Sequence, residues 1–70
     1  MFDIYDIVRL KEDDKLHGVK SSFVGAVVDV HSDGEAYTIE FFDDKGETIT
    51  DALLSEYKQE ELELVESHRG

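Results

Sequence analysis

The run Phe23-Val24-Gly25-Ala26-Val27-Val28-Asp29-Val30-His31-Ser32-Asp33-Gly34-Glu35-Ala36-Tyr37-Thr38-Ile39-Glu40-Phe41-Phe42 decides the fold class. At its centre, Asp33-Gly34 between two apolar runs is a strong hairpin signal. On the C-terminal side the alternation is clean. Tyr37, Ile39 and Phe41 share one face, and Thr38, Glu40 and Phe42 share the other, which predicts a strand over residues 36–42. On the N-terminal side Val24, Val27, Val28 and Val30 are β-branched and suit a pleated surface, which predicts a strand over 23–31. Strict alternation fails there because Val27 and Val28 are both apolar. Either both sheet faces are covered or a bulge shifts the register. A bulge near Gly25 is the favoured reading, since glycine tolerates the backbone angles.

Working outward, Asp43-Asp44-Lys45-Gly46 makes a second turn, and Thr48, Ile49 and Thr50 predict a third strand over 47–54. Upstream, residues 3–10 read as a first strand with Val8 and Leu10 pointing inward. Residues 11–22 form a long polar loop, with Leu16 and Val19 as small anchors. Downstream, residues 55–59 are too short for an independent helix and read as a 3₁₀ turn. Leu62 and Leu64 then alternate with acids in a last strand over 61–65, before a frayed tail at 67–70. The expected fold is all-β: a single domain over 1–66, built as a small five-stranded SH3-like barrel with a long first loop and one 3₁₀ turn before the last strand.

The chain has 70 residues, no Cys, 18 Asp+Glu against 7 Lys+Arg, and a net charge of −11. A domain this small buries one modest core and has neither a disulfide nor a thiolate metal site to support it. The acidity excludes nucleic-acid backbone binding through bulk electrostatics and argues against docking on an anionic membrane. The first residues carry two acids and no basic signal region, and no apolar run approaches a membrane span, so a cytoplasmic protein is expected.

Four stretches carry a family resemblance: Tyr5-Asp6-Ile7-Val8-Arg9-Leu10, Val24-Gly25-Ala26-Val27-Val28-Asp29-Val30, Gly34-Glu35-Ala36-Tyr37-Thr38-Ile39-Glu40-Phe41-Phe42-Asp43 and Leu62-Glu63-Leu64-Val65. In their order and spacing they resemble the small bacterial proteins grouped as domain of unknown function 4926. The resemblance covers residues 3–65 and implies a fold more than a function. It suits one half of a toxin–antitoxin or effector–immunity pair. The Asp-x-Val start followed by a glycine and a Val-rich strand is also similar, more loosely, to KOW-type modules. Those modules use basic or apolar surfaces, from which this acidic chain departs.

The charge is unevenly placed. Residues 1–31 hold six acids and four bases, whereas residues 32–66 hold twelve acids against Lys45 and Lys58. That concentration predicts a face for a basic protein partner, since charge complementarity steers encounter. Asp33, Glu35, Glu40, Phe42, Asp43, Asp44, Glu47 and Tyr57 are the candidate partner-binding residues. Of the seven aromatics, Tyr37 and Phe41 are assigned to the core with Phe23 beside them. Phe2, Tyr5, Phe42 and Tyr57 are left partly exposed.

No catalytic, cofactor or metal site is expected. His17, His31 and His68 are not at ligand spacing, Asp13-Asp14, Asp43-Asp44 and Glu60-Glu61 read as solvated pairs, and Ser21, Ser22 and Ser55 have no activating partner at a known spacing. The expected function is a small acidic non-enzymatic binding module. It would act as an antitoxin or immunity-type inhibitor, a monomer or weak oligomer when free, that occludes a basic protein and in one form mimics nucleic acid. The alternative is a structural or assembly subunit of a larger enzyme or ribonucleoprotein complex, docked through Phe42, Tyr5 and Tyr57.

Overall fold

A computed structural model describes residues 1–69. It is mostly β, with strands β1 (Ile7–Leu10), β2 (Gly25–His31), β3 (Ala36–Phe41) and β4 (Leu62–Glu66). A one-turn helix α1 (Thr50–Leu53) and a 3₁₀ turn (Gln59–Glu61) lie between β3 and β4. The strands form one open antiparallel sheet in the order β3-β2-β1-β4.

The hairpin read from the central run is present, with His31 paired to Ala36. Its loop is tight: Ser32 and Asp33 both take left-handed backbone angles, and the His31 carbonyl accepts the Gly34 and Glu35 N–H groups, each at 3.1 Å. β2 does carry a bulge, but at Val28 rather than near Gly25. Val27 pairs with Ile39 and Asp29 with Thr38, so Val28 is the extra residue. Two adjacent valines therefore coexist because Val27 is fully buried while Val28 is turned outward and exposed. Gly25 has a different reason to be glycine. A Cβ there would lie 2.7 Å from Ile39 Cγ2, 2.8 Å from the Glu40 carbonyl oxygen and 2.8 Å from Phe41 Cδ1.

The third meander strand expected over 47–54 does not form, so the sheet has four strands. Thr48 makes a single bridge to Phe42, and the Ile49 N–H donates to the Phe41 carbonyl at 2.8 Å. The chain then coils into α1. Ala52 has high helix propensity, and the coil carries it into the core, fully buried.

β1 starts at Ile7 rather than residue 3. A turn precedes it, in which the Asp6 N–H donates to the Asp3 carbonyl and Tyr5 takes φ +71°. The 3₁₀ turn falls at 59–61 instead of 55–59. The Lys58 N–H donates to the Glu61 carboxylate at 3.1 Å and sets the start of that turn, while Tyr57 is extended and exchanges both backbone bonds with Tyr37. In the long loop Val19 is the anchor and Leu16 stays in solvent.

Val8, Leu10, Val27, Tyr37, Ile39, Phe41 and Leu62 form the core with Val19, Ala52 and Tyr57, and Phe2 and Phe23 pack against it. Tyr57 is thus buried, not exposed, and its ring meets Phe41 edge-on at 5.4 Å.

Among the described residues Asp6 is the one buried charge. Its carboxylate accepts the Asp3 N–H at 2.9 Å and the His68 N–H at 2.8 Å, which holds both chain ends against β1. His68 also stacks edge-on against Tyr5. Within the segment expected to fray, of which Gly70 lies outside the described residues, the Arg69 guanidinium lies 3.7 Å from Asp3. The two backbone donors hold the Asp6 carboxyl below its ordinary 3.8. A depressed carboxyl contributes stability above the unfolded value and loses it as pH falls through the folded one. Asp6→Ala should cost about 1–3 kcal/mol at pH 7, the usual cost of leaving buried donors unpaired. Urea unfolding at pH 7 and pH 3 checks this: the gap between wild type and variant should shrink on the acid side.

Candidate functional site

A groove of about 550 Å³ lies between the long loop and the segment leading into β4. Six carboxylates line it: Glu12, Asp13 and Asp14 from one wall, and Glu56, Glu60 and Glu61 from the other. Lys11 and His17 are the basic side chains among them. Two stretches more than forty residues apart thus converge on one acidic cleft.

The walls are tied by Asp14. Its Oδ2 accepts the Tyr57 hydroxyl at 2.7 Å and lies 2.7 Å from His17 Nδ1, and its Oδ1 accepts the His17 N–H at 3.3 Å. The loop closes on itself through reciprocal Asp14–Val19 backbone bonds and an Asp13 carboxylate that accepts the Ser21 N–H at 2.7 Å. Burial would raise the Asp14 carboxyl, but the bonds from Tyr57 and His17 outweigh it and the net shift is downward. Burial, and then the hydrogen bond to Asp14 and its charge, push the Tyr57 hydroxyl well above its ordinary value, so it stays protonated and donates. Asp14 and Tyr57 therefore shape the groove. Glu12, Glu56 and Glu60 are left to present charge at its rim, exposed to solvent.

Apart from Tyr57, the sequence-predicted residues fall elsewhere, and not in one patch. Asp33 and Glu35 sit at the β2–β3 loop, whereas Asp43, Asp44 and Glu47 sit in the turn beyond the opposite end of β3. Two of them do structural work. Asp43 Oδ1 accepts the Lys45 and Glu47 N–H groups, each at 2.9 Å, and Glu40 accepts the Thr48 hydroxyl at 2.9 Å. Phe42 is half-buried, and Tyr57 lines the groove from beneath rather than offering a free ring.

Sequence reasoning missed Glu12, Asp13, Asp14 and His17, which it read as a solvated loop. The local signal was the Asp14-Lys15-Leu16-His17-Gly18 spacing, which places a short acceptor three residues before a histidine in a glycine-terminated turn. Among the described residues no cluster of His, Cys, Asp or Glu has the geometry to hold a metal ion. No described helix is long and apolar enough to cross a membrane.

Residues 4–63 match the family model described as Domain of unknown function (DUF4926), a description that states no activity. No curated protein and no solved structure matches the chain.

Proposed function

The chain belongs to the DUF4926 family, and on that premise we propose that it is a non-enzymatic acidic binding module, an antitoxin or immunity-type inhibitor that occludes a basic partner protein. The observation that carries this reading is the groove: six carboxylates from two distant stretches, gathered on a chain of net charge −11. Basic side chains of the partner seat between the two walls, and the surrounding field speeds their approach. Relative to the sequence reading, the docking centre moves from the hairpin turns to residues 12–14 and 56–61. An assembly-subunit role is the second reading. It is favoured by Tyr5, 60% exposed in a left-handed conformation that bulky residues avoid.

We also read the topology as SH3-like. The order strand, long loop, hairpin, 3₁₀ turn and strand fits that layout if the single Phe42–Thr48 bridge stands for a shortened fifth strand.

Hexalysine, titrated into the protein by calorimetry, tests the groove. Affinity should fall by about tenfold or more as the Debye length shrinks from roughly 30 Å at 0.01 M salt to about 8 Å at 0.15 M. The double variant Glu12→Gln/Glu60→Gln should weaken binding at low salt. Salt-independent binding, or binding unaffected by the double variant, would sink the reading.

A further inference from the structure

β4 is the end strand of the sheet and pairs only with β1. The other end is closed, because Tyr37 exchanges backbone bonds with Tyr57 and the Phe41 carbonyl receives Ile49. On β4 the Lys11 N–H donates to the Glu61 carbonyl, and Arg9 lies opposite Glu63. Bonded and non-bonded residue pairs alternate along an antiparallel ladder. Residues 61 and 63 therefore turn their backbone groups toward β1, and Leu62 and Leu64 turn theirs outward; the Leu62 N–H is taken by the Gln59 carbonyl, which leaves the Leu62 carbonyl and both backbone groups of Leu64 facing the open edge.

The side chains along that edge sort by face. Leu62 and Leu64 lie opposite Leu10 and Val8 on the core face, and Leu64 is still 47% exposed. Glu63 is held by the Arg9 guanidinium opposite it at 2.6 Å, and Glu66 lies opposite Ile7, with Val65 as the extra residue of a bulge. A second copy is a poor occupant. In the register that sets Leu62 opposite Leu64 it would place Glu63 against its own Glu63, and each chain carries a net charge of −11, so approach is repulsive. A strand with aliphatic residues at one parity and Lys or Arg at the other meets both faces.

We propose that β4 is a docking edge for an extended segment of a basic partner, which adds to the sheet beside Leu64 with its basic residues against Glu66. Main-chain bonds would supply affinity, and the alternating faces would supply selection. The inference rests on the basic-partner reading above and extends it. Glu60 and Glu61, which line the groove, lead directly into β4, so the two surfaces are continuous.

Two peptides of equal charge separate the ideas: acetyl-Lys-Val-Lys-Val-Lys-Val-Lys-amide, which can form a strand, and its analogue with Pro in place of each Val, which cannot donate to a ladder. Each is titrated into the full chain and followed by amide shifts and hydrogen exchange. At a concentration about ten times Kd the Val peptide should slow exchange at Leu64 by about tenfold, and the Pro peptide should not. Should both peptides move only groove residues 12–17 and 56–61, the edge inference is overturned and the groove reading stands. If the Val peptide protects the edge while the Pro peptide moves nothing, the edge stands and the groove reading falls. Silence from both overturns both.

Discussion

Tyr37→Ala is expected to leave the chain largely unfolded at 25 °C. Tyr37 is fully buried at the centre of the fold and joins four parts of it. Its ring meets Phe2 edge-on at 5.3 Å. Its hydroxyl donates to Gln59 at 2.9 Å and accepts the Phe2 N–H at 3.1 Å. Its backbone is bonded to Tyr57 in both directions, and it pairs with Val30 across the sheet. Removing a buried aromatic side chain costs about 3–5 kcal/mol. A core in a domain of this size rarely supplies more than about 3–5 kcal/mol in total. Far-ultraviolet circular dichroism against temperature is the check, and a cooperative transition near the wild-type midpoint would contradict it. Tyr37→Phe keeps the ring and loses only the hydroxyl bonds. It should remain folded, with a loss of about 1–2 kcal/mol.

Gly25→Ala is the second large effect, from a single added carbon. That carbon would meet the Glu40 carbonyl oxygen at 2.8 Å as well as the Ile39 and Phe41 side chains. A side chain can swing away, but the Glu40 oxygen is backbone in a paired strand. It can retreat only if the β2–β3 ladder opens, where Gly25 lies opposite Phe41 and Ala26 opposite Glu40. The expected loss is at least the roughly 1–3 kcal/mol of ordinary overpacking. Gly46→Ala provides the contrast. Nothing lies within 4 Å of a Cβ there, so only the strain of its φ of +80° is felt. Urea midpoints should rank Gly25→Ala below Gly46→Ala, and equal midpoints would show that the close approach relaxes cheaply.

The hairpin was legible because its signals are local. Tyr37, Ile39 and Phe41 alternate with polar or exposed neighbours, and Asp33-Gly34 marks the reversal. Val8, Leu10 and Leu62 were readable for the same reason, and all are buried. The misplaced features share a different cause. Thr48-Ile49-Thr50 has strand propensity, but the core takes Ala52 at that point, and the chain coils to deliver it. Residues 55–59 read as a 3₁₀ turn, yet Tyr57 is drawn straight by its bonds to Tyr37. The loop at 11–20 has no periodicity to read, and its order comes from Asp14 reaching Tyr57 across 43 positions of sequence.

The sequence by itself determined the all-β character, the central hairpin, the identity of the inner face and the excess of negative charge. Each follows from neighbours within a few residues or from composition. Tertiary structure alone decided that the bulge falls at Val28, that α1 replaces a fifth strand and that Tyr57 is interior. It also decided which acids stand together. Charge counts place twelve acids in residues 32–66, but β3 holds Asp33 and Asp44 at its opposite ends. The fold brings Glu12 and Asp14 beside Glu60 and Glu61 instead. Proximity between distant segments is set by packing of the whole chain, and no local pattern encodes it.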